Sequence, residues 1–340
     1  MEIIGLDIGF GFTKASNGKK SLIFKSVYGE ATDFQYREPL LDGDRLEQYL
    51  QIDIDGNSYF VGELAERQST NRFFTLDQAQ FMDQPSRILA LAAMSNLVES
   101  NQAVKLVLGL PISHYRKYKQ KLHDLLKTTH DIIITDSKGL CREKKIKVAD
   151  VRVIPQPFGS IMNYMLNDQG KMSEQRFSKE KIGIIDVGFC TTDYTISDKT
   201  RYSERGSMSV QTGMSKAFAI IATRLKDISG VNVELYRLFD SVHSGSIKIR
   251  GKSYDLKKVS QQALGQLAAS IASDANRLWA DDWDMDEIIV TGGGGAVLAP
   301  FIQPLLEGNM LSLNPSHDYR LNNVQGYCKF GKSVWHTSDD

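Results

Sequence analysis

The sequence carries one short pattern twice, and this repeat restricts the fold more than any other feature. The first copy, GLDIGFGFTK, covers residues 5–14, and the second, IIDVGFCTTD, covers 184–193. At one constant offset, Asp7, Gly9, Phe10 and Thr13 match Asp186, Gly188, Phe189 and Thr192. In each copy an apolar run leads into a carboxylate and a glycine turn, which is typical of a strand–turn–strand hairpin. The repeat therefore predicts a duplicated fold whose halves each begin with such a hairpin.

The turns of these two hairpins are candidates for holding phosphate groups. Glycine lets the backbone approach a ligand closely, and N–H groups in such a turn attract anions. Two facing turns would enclose a polyphosphate, and the carboxylates of Asp7 and Asp186 would suit Mg²⁺, which keeps its waters and prefers oxygen ligands. An ordinary hairpin turn is the alternative for one copy alone, but the second copy favours phosphate binding.

Composition limits the classes of protein that the chain can belong to. Its 340 residues are 41% hydrophobic and 24% charged, which is typical of a soluble globular protein with room for two domains. The 41 basic and 41 acidic residues balance, so we expect no direct nucleic-acid binding. Cys141, Cys190 and Cys328 form no CxxC pair, which favours a reducing cytoplasm over a zinc site or disulfides. No signal-peptide pattern and no apolar run of about 18 residues occurs, so we expect no membrane span.

The hydrophobic pattern predicts strands and helices that alternate through both halves. Strands are predicted at 3–8, 12–16, 21–28, 48–54, 58–61, 105–111, 132–134, 151–154, 182–187, 191–196 and 284–291. One helix is predicted to begin at residue 86, and another, after the strand at 105–111, to end at about 127. Further helices are predicted at 160–166, 214–228, 231–242, 257–279 and 321–330, with a short hairpin around 250–252. Residues 30–47 are polar and aperiodic, which predicts an exposed loop. The alternation indicates an α/β fold with mixed sheets.

One stretch imitates a different nucleotide-binding motif. Residues 326–333, GYCKFGKS, match the P-loop pattern G-x-x-x-x-G-K-S. A true P-loop follows a strand and precedes a long helix whose N-terminus binds phosphate. Apolar residues are sparse before this stretch, and only seven residues follow Ser333. We therefore interpret Gly331 as the cap that ends a helix.

Three further clusters have ordinary interpretations. The basic cluster of one helix is more typical of a solvated face than of a nucleic-acid contact, and the acidic cluster before the last strand is more typical of a solvated turn than of a calcium site. A phenylalanine cluster fits a core and an exposed polymer contact equally well. The basic cluster is Arg116, Lys117, Lys119 and Lys121, the acidic one is Asp281, Asp282, Asp284 and Asp286, and the aromatic one is Phe73, Phe74 and Phe81.

Taken together, the chain resembles the actin-like ATPases, which share a superfamily with sugar kinases and heat-shock chaperone ATPases. Five segments mark that superfamily: a first phosphate loop (here 7–14), a first connecting segment (155–160), a second phosphate loop (186–193), an adenosine segment (291–295) and a second connecting helix (319–326). The stretches GLDIGFGFTK, IPQP and IDVGFCTTD are most similar to the prokaryotic ParM and archaeal-actin types.

The resemblance implies a duplicated actin-like fold, related to ribonuclease H, with two domains around a nucleotide cleft. Domain I would comprise residues 1–160 and 320–340, with a smaller subdomain at about 30–85. Domain II would comprise 161–319, with a smaller subdomain at about 214–258. The chain would cross between the domains near Gln156 and return through its last helix.

The resemblance also implies ATP and Mg²⁺ as cofactors, with GTP as an open alternative. Lys14 would contact phosphate, Asp7 and Asp186 would hold Mg²⁺ through its waters, and Gln156 would orient the attacking water, which predicts slow hydrolysis. Phe10 departs from the family pattern, because the ParM and actin sequences carry a serine there. The remaining nucleotide contacts would come from Gly9, Phe10, Gly11, Phe12 and Thr13, from Gly188, Phe189, Thr191 and Thr192, from Gly213, and from Gly292, Gly293, Gly294 and Gly295.

The function implied is that of an ATPase that polymerises into filaments. Its use would be DNA or plasmid segregation, or positioning of a structure in the cytoplasm, with other copies of the chain and a DNA-bound or cargo adaptor as partners. A small-molecule kinase and a non-polymerising ATPase switch on the same fold are the alternatives. A kinase needs a general base aimed at its acceptor hydroxyl. Asp193, at the far end of its hairpin, is a poor candidate for that base.

Overall fold

The computed structural model describes residues 1–32, 50–74, 76–312, 314 and 317–336. The chain divides into two units, Met1–Gln175 with Leu321–Asp340 (unit 1) and Arg176–Arg320 (unit 2). The structure thus places residues 161–175 with unit 1, whereas the sequence analysis assigned them to domain II. Most of the predicted 30–47 loop, and with it part of the expected 30–85 subdomain, lies outside the described residues.

Unit 1 is built on one mixed sheet, which has ten strands within the described residues. Its order is β3-β2-β1-β8-β10-β9-β5-β6-β4-β7. The strands β1, β8 and β10 run parallel at its centre, and antiparallel strands flank them. The strands are β1 Glu2–Ile8, β2 Phe12–Ser16, β3 Ser21–Lys25, β4 Tyr28–Glu30, β5 Leu50–Ile54, β6 Asn57–Val61, β7 Arg72–Phe73, β8 Ala103–Leu110, β9 Thr129–Thr135 and β10 Cys141–Pro155.

Helices cover this sheet because their apolar faces match those of the central strands. The helices are α1 Glu63–Gln68, α2 Gln78–Phe81, α3 Gln84–Ser95, α4 Ile112–Leu126, α5 Phe158–Met165 and α10 Asn322–His336. In α3 every residue from Ile88 to Ser95 is buried, as its nearly uncharged sequence predicts. The helix that carries the basic cluster is α4, and it exposes Lys117, Lys119 and Lys121.

Unit 2 repeats the centre of this plan with fewer strands. Its four-stranded sheet has the order β13-β12-β11-β16, and β14 and β15 form a separate hairpin. As in unit 1, an antiparallel hairpin (β11–β12) is joined to a parallel strand, here β16. The elements are β11 Lys181–Val187, β12 Thr192–Asp198, β13 Arg201–Val210, α6 Met214–Ser229, α7 Phe239–Ser244, β14 Ser246–Ile249, β15 Lys252–Asp255, α8 Lys257–Leu278, β16 Glu287–Thr291 and α9 Gly295–Ile302. The predicted α/β class with mixed sheets is confirmed.

Several predicted elements differ from the structure. The strand predicted at 21–28 is two strands, and most of the helix predicted at 231–242 is a 3₁₀ turn, Leu235–Leu238, followed by α7. The strand β13 and the helix α9 were not predicted. Strand β13 was not predicted because its sequence, RYSERGSMSV, is mostly polar.

The predicted end of the last helix near residue 330 is wrong, because α10 continues to His336. Trp335 is buried against Ile3 and Val107 in the core of unit 1, which extends the apolar face of the helix by almost two turns. Gly331 is therefore an interior helix residue and not a cap. A Cβ there would lie 2.6 Å from Ile3, so the glycine permits close packing on the sheet. The P-loop-like stretch lies wholly within this helix and cannot form a phosphate loop.

The acidic turn at 281–286 is also different from the prediction of a solvated turn. Asp281 is exposed, but Asp282 is buried, and its carboxylate binds Lys181 Nζ at 2.7 Å and Arg205 Nη2 at 2.5 Å. The sequence did not reveal this because both cations lie far from Asp282 along the chain.

Two helices of unit 1 cross at glycines. A Cβ on Gly326 of α10 would lie 1.7 Å from the carbonyl oxygen of Gly159 in α5. Around this contact, Ser160 Oγ donates to Asn323 Oδ1 at 2.7 Å and Asn163 Nδ2 donates to Asn322 Oδ1 at 2.6 Å. The backbones approach closely enough for this polar seam only because neither glycine has a side chain.

We predict that Gly326→Ala destabilises unit 1, because the added methyl group forces the two helices apart. Overpacking of this kind costs about 1–3 kcal/mol. The matched control is Gly265→Ala in α8, where a Cβ meets nothing closer than 4.0 Å and the better helix propensity of alanine should preserve or raise stability. Chemical denaturation of both variants measures the difference. Equal stabilities would contradict the close crossing.

Candidate functional site

The two repeated turns have the same backbone geometry. In the first, the Gly9 N–H donates to the Phe12 carbonyl at 3.2 Å; in the second, the Gly188 N–H donates to the Thr191 carbonyl at 2.9 Å. A Cβ on Gly9 would lie 2.9 Å from its acceptor oxygen, and a Cβ on Gly188 would lie 3.1 Å from its own. The sequence repeat is therefore a structural repeat, and glycine has the same steric role in both copies.

The residue that faces the aspartate differs between the two hairpins. Asp7 lies opposite Lys14 in the β1–β2 register, whereas Asp186 lies opposite Asp193 in the β11–β12 register. Lys14 Nζ donates to Asp7 Oδ2 at 2.8 Å, and the two side chains are only 11% and 2% exposed. The first hairpin thus neutralises its own buried carboxylate.

The second hairpin places two buried carboxylates on neighbouring strands. Asp186 is 1% exposed and Asp193 is 2% exposed. The pairing places Asp193 beside the turn, so the expectation that it lies at the far end of the hairpin is wrong. Thr191 Oγ1, at the turn, donates to Asp193 Oδ2 at 3.4 Å. A cation bound at this hairpin would have carboxylates from both strands beside it. Oxygen ligands of this type suit hydrated Mg²⁺.

The repeated threonines brace the hairpins rather than face outward. Thr13 Oγ1 lies 2.9 Å from Ser26 Oγ, and Ser26 Oγ donates to the Gly9 carbonyl at 2.6 Å. Thr192 Oγ1 donates to the Thr212 carbonyl at 2.5 Å. The sequence analysis missed Ser26, whose only signal is its position just after β3. These bonds tie each turn to the segment that follows the next strand.

The repeated phenylalanines anchor the turns in the core. Phe10 is 6% exposed and stacks on Phe81, with ring centroids 4.6 Å apart. Phe189 packs against Phe218 and Phe239, with centroids at 5.6 and 5.0 Å. Phe10, at the position where the resemblance implies a serine, therefore contributes packing instead of a hydroxyl group.

Phe73 and Phe81, which the sequence analysis grouped in one aromatic cluster, have different surroundings in the structure. Phe81 is a core residue at 2% exposure, so the core interpretation applies to it. Phe73 is half-buried and packs on Tyr28 with ring centroids 4.9 Å apart.

The glycine run of unit 2 lies directly on the second hairpin. Gly292 has φ +87°, and a Cβ there would lie 2.2 Å from Asp186 Oδ1. The Gly294 N–H donates to the Val187 carbonyl at 2.9 Å. Gly293 is exposed and a Cβ on it would meet nothing within 4 Å, which leaves its backbone open to a ligand. The helix α9 begins at Gly295, so its N-terminus, which favours anions, follows this segment.

Gly213 completes the surroundings of the second turn. A Cβ on Gly213 would lie 2.5 Å from the Phe189 carbonyl oxygen, and the Met214 N–H donates to the Gly188 carbonyl at 3.1 Å. Unit 2 thus brings together the predicted residues of the second turn, Gly213 and the glycine run.

Gln156 follows the last residue of β10. Its N–H donates to the Leu110 carbonyl at 2.8 Å, and its own carbonyl accepts a bond from Tyr327 Oη at 3.0 Å. Since β1, β8 and β10 are parallel, Asp7 and Gln156 both lie at the carboxyl ends of these strands, where ligands of α/β proteins bind. Unit 1 therefore carries Asp7, Lys14 and Gln156 at the same end of its central strands.

Other kinds of site receive no support from the described part of the chain. Among those residues, no group of three or more His, Cys, Asp and Glu side chains could hold a metal ion, and no helix is both long and apolar enough to cross a bilayer. All three cysteines are free thiols.

Family models match both units of the chain. The model for the N-terminal domain of actin-like proteins matches residues 5–159, and that for the C-terminal domain of archaeal MreB-like actin homologues matches residues 184–303. This chain belongs to the actin-like proteins. The predicted resemblance is confirmed on both of its halves.

Solved structures extend the likeness of this actin-like protein to nearly its full length. A ParM in a 15-stranded filament from Clostridium botulinum is 26% identical, with a TM-score of 0.81, and the match covers 97% of this chain and 99% of that one. A non-polymerisable quadruple mutant of pCBH ParM is 27% identical, with a TM-score of 0.80 and the same coverage. The archaeal actin homologue Ta0583 in complex with ADP is 20% identical, with a TM-score of 0.78 and coverage of 98% and 99%. No curated protein matches the chain. The predicted actin-like fold is confirmed.

We predict that Lys14→Met strongly destabilises the actin-like protein, because it leaves the Asp7 carboxylate buried without its cation. Loss of one partner of a buried ion pair costs about 3–5 kcal/mol. The control is Asp7→Asn with Lys14→Met, which removes both charges and should recover most of the loss. Denaturant titration measures both variants. A single variant as stable as the wild type would contradict the buried pair.

Thiol chemistry offers an independent check on the second turn. Burial raises the pKa of the Cys190 thiol to about 12 and that of Cys328 to about 11, so little thiolate forms on either at pH 8. We expect one rapidly reacting thiol in the native protein, the exposed Cys141, and three after denaturation. A disulfide reagent followed by absorbance counts them, and Cys141→Ser should abolish the fast reaction. Rapid modification of Cys190 would show that the turn is open.

Proposed function

We propose that this actin-like protein binds Mg-ATP through its two turns, hydrolyses the nucleotide slowly and assembles into filaments while nucleotide is bound. The observation that carries the proposal is the geometric equivalence of the turns at Gly9 and Gly188. Both copies keep the same glycine, the same hydrogen bond and the same upstream carboxylate, as expected of two turns that hold phosphate groups.

The residues present fit a magnesium nucleotide. Asp186, with Asp193 opposite it, supplies the carboxylate oxygens that would hold hydrated Mg²⁺. Lys14, which Asp7 holds at the first hairpin, would contact a phosphate oxygen. Mg²⁺ would neutralise the charge of the phosphates when bound. The open backbone at Gly293 and the start of α9 give the rest of the nucleotide a place against unit 2. The solved complex of Ta0583 contains ADP, which supports the same class of ligand here.

Gln156 is the residue that we assign to the attacking water. An amide can orient a water but is too weak a base to remove its proton, so hydrolysis would depend on positioning and electrostatics. The absence of a hydroxyl at Phe10 removes a further contact to the terminal phosphate. Both features support slow turnover, which suits a protein whose nucleotide state times its assembly.

Self-assembly is supported by the relatives at 26% and 27% identity, one solved in a filament and the other described as a non-polymerisable mutant. The cellular use that we propose is segregation of DNA or positioning of a structure in the cytoplasm, with a cargo adaptor as the second partner. ATP is the nucleotide proposed, and GTP is compared in the same assay.

Sedimentation and light scattering with Mg-ATP test the proposal. We expect the wild type to pellet and scatter above a critical concentration and to release phosphate slowly. Asp186→Ala should lower phosphate release to background, because it removes a carboxylate proposed for Mg²⁺. The control is Asp198→Ala, which alters an exposed aspartate at the far end of β12.

Two outcomes would contradict the proposal. If the wild type remains monomeric at high concentration with nucleotide bound, the filament proposal fails, and an ATPase switch and a kinase are the remaining functions. Unchanged turnover in Asp186→Ala, with the variant folded, would refute the assignment of the site.

A further inference from the structure

Three hydroxyl groups among the described residues of unit 2 are buried without a hydrogen-bond partner. They are Thr195 Oγ1, Ser197 Oγ and Ser209 Oγ, and we call them the hydroxyl row. A buried hydroxyl group that makes no hydrogen bond destabilises the folded protein, and valine or alanine would fill nearly the same space without that cost. Such groups in a folded protein therefore point to a ligand that pairs with them.

The hydroxyl row lies on the face of the unit 2 sheet that also carries Asp193. Tyr194 and Ile196 of β12 belong to the hydrophobic core of unit 2. The residues that alternate with them are Asp193, Thr195 and Ser197, so these three lie on the opposite face. The third member of the row is on the neighbouring strand β13, directly opposite Asp193 in the register.

The neighbouring strands bring no polar side chain to the centre of the row. On one side, β11 places isoleucines 184 and 182 opposite Thr195 and Ser197. On the other side, a bulge interrupts the pairing of β12 with β13 between Tyr194 and Ile196, so residues 204–207 of β13 pass Thr195 without pairing with it. The sheet itself therefore cannot supply the hydrogen bonds that Thr195 lacks.

The bulge of β13 turns toward the hydrophobic core, away from the hydroxyl row. A Cβ on Gly206 would lie 2.3 Å from Ile196 Cδ1, so this part of the bulge packs on a core side chain. Trp279, which is in the same core, donates from its Nε1–H to the Gly206 carbonyl at 2.9 Å. The bulge is thus held on one face of the sheet, which leaves space beside Thr195 on the other face.

Water is the ligand that fits the hydroxyl row. A buried water molecule needs two to four polar partners. Alternate residues of a strand are about 6.6 Å apart, and one water molecule with two hydrogen bonds spans about 5.6 Å. Because side chains lean along the strand, single water molecules can join neighbouring members of the row. The hydroxyl groups are neutral and spread along the strand rather than arranged around one point, so they suit water better than a metal ion.

We propose that the hydroxyl row holds a chain of bound water molecules that ends at Asp193. At this end Thr191 Oγ1 donates to Asp193 Oδ2 at 3.4 Å, and the water chain supplies a further donor from within the sheet. Thr195 and Ser209 are positioning residues in this arrangement, because they fix the Asp193 carboxylate through water and touch no ligand of the turn. Only this positioning step rests on the proposed function, which places Asp193 beside hydrated Mg²⁺.

Thermal unfolding of Thr195→Val tests for the bound water. Valine has nearly the shape of threonine but no hydroxyl group. If water pairs with that hydroxyl, the variant loses a hydrogen bond, and we expect it to melt about 2–4 °C below the wild type. A hydroxyl without a ligand predicts the reverse, a higher melting temperature. The control is Thr223→Val on α6, where the hydroxyl is exposed and donates to the Ala219 carbonyl at 2.9 Å; it should melt close to the wild type.

A crystal structure of the wild type tests the position of the chain. We expect solvent density within about 3.2 Å of Thr195 Oγ1 and of Ser197 Oγ. The same density should be lost or displaced in crystals of Thr195→Val.

Titration of Mg²⁺ in the presence of a fluorescent ATP analogue tests the effect on Asp193. Thr195→Val and Ser209→Ala should each raise the Mg²⁺ concentration for half-maximal binding about tenfold, as expected for residues that orient a metal-binding carboxylate. Thr195→Ser keeps the hydroxyl group and should restore the wild-type value. A merely structural role of Thr195 predicts instead that serine and valine have the same effect.

The outcomes separate this inference from the proposed function. A higher melting temperature for Thr195→Val, or no solvent density at the hydroxyl row, would overturn the water chain whether or not the protein binds nucleotide. Solvent density combined with an unchanged Mg²⁺ titration would overturn the positioning of Asp193. A wild type that binds no Mg-nucleotide would overturn the proposed function and the positioning step with it, while melting and crystallography still decide the water chain.

Discussion

The hydrogen bond that closes each glycine turn is the constraint on which the rest of the structure depends. At Gly9 and again at Gly188, an N–H donates to a carbonyl three residues later, and a Cβ would lie only 2.9 and 3.1 Å from that carbonyl oxygen. This bond sets the register of each hairpin and therefore decides which residue faces the aspartate on the first strand. It also fixes where the phenylalanine of each turn enters the core.

The duplicated hairpins are equivalent in backbone but not in charge. Lys14 neutralises Asp7 within the first hairpin, whereas Asp193 adds a second carboxylate opposite Asp186. The two copies keep one backbone conformation but differ in the residue opposite the aspartate, so each can make a different contact with a ligand. In our proposal, the first hairpin supplies a cation for phosphate and the second supplies oxygen ligands for Mg²⁺.

The sequence was sufficient for those parts of the fold that depend on local pattern. The repeat predicted both hairpins and their equivalence, and the five family segments predicted the actin-like fold. Contacts between distant residues were not predictable. The stack of Phe10 on Phe81, the burial of Asp282 by Lys181 and Arg205, and the bracing of Gly9 by Ser26 all join residues from separate elements. The extension of α10 was missed for the same reason, since its last turns are stabilised by the sheet and not by their own sequence.

Calorimetric titration with Mg²⁺ and a non-hydrolysable ATP analogue tests the central claim most directly, because it asks whether each turn contributes to nucleotide binding. We expect one binding site per chain, and we expect the smaller changes Gly9→Ala and Gly188→Ala each to weaken binding, with circular dichroism as the check that each variant is folded. Two sites per chain, or full binding in either folded variant, would contradict the account.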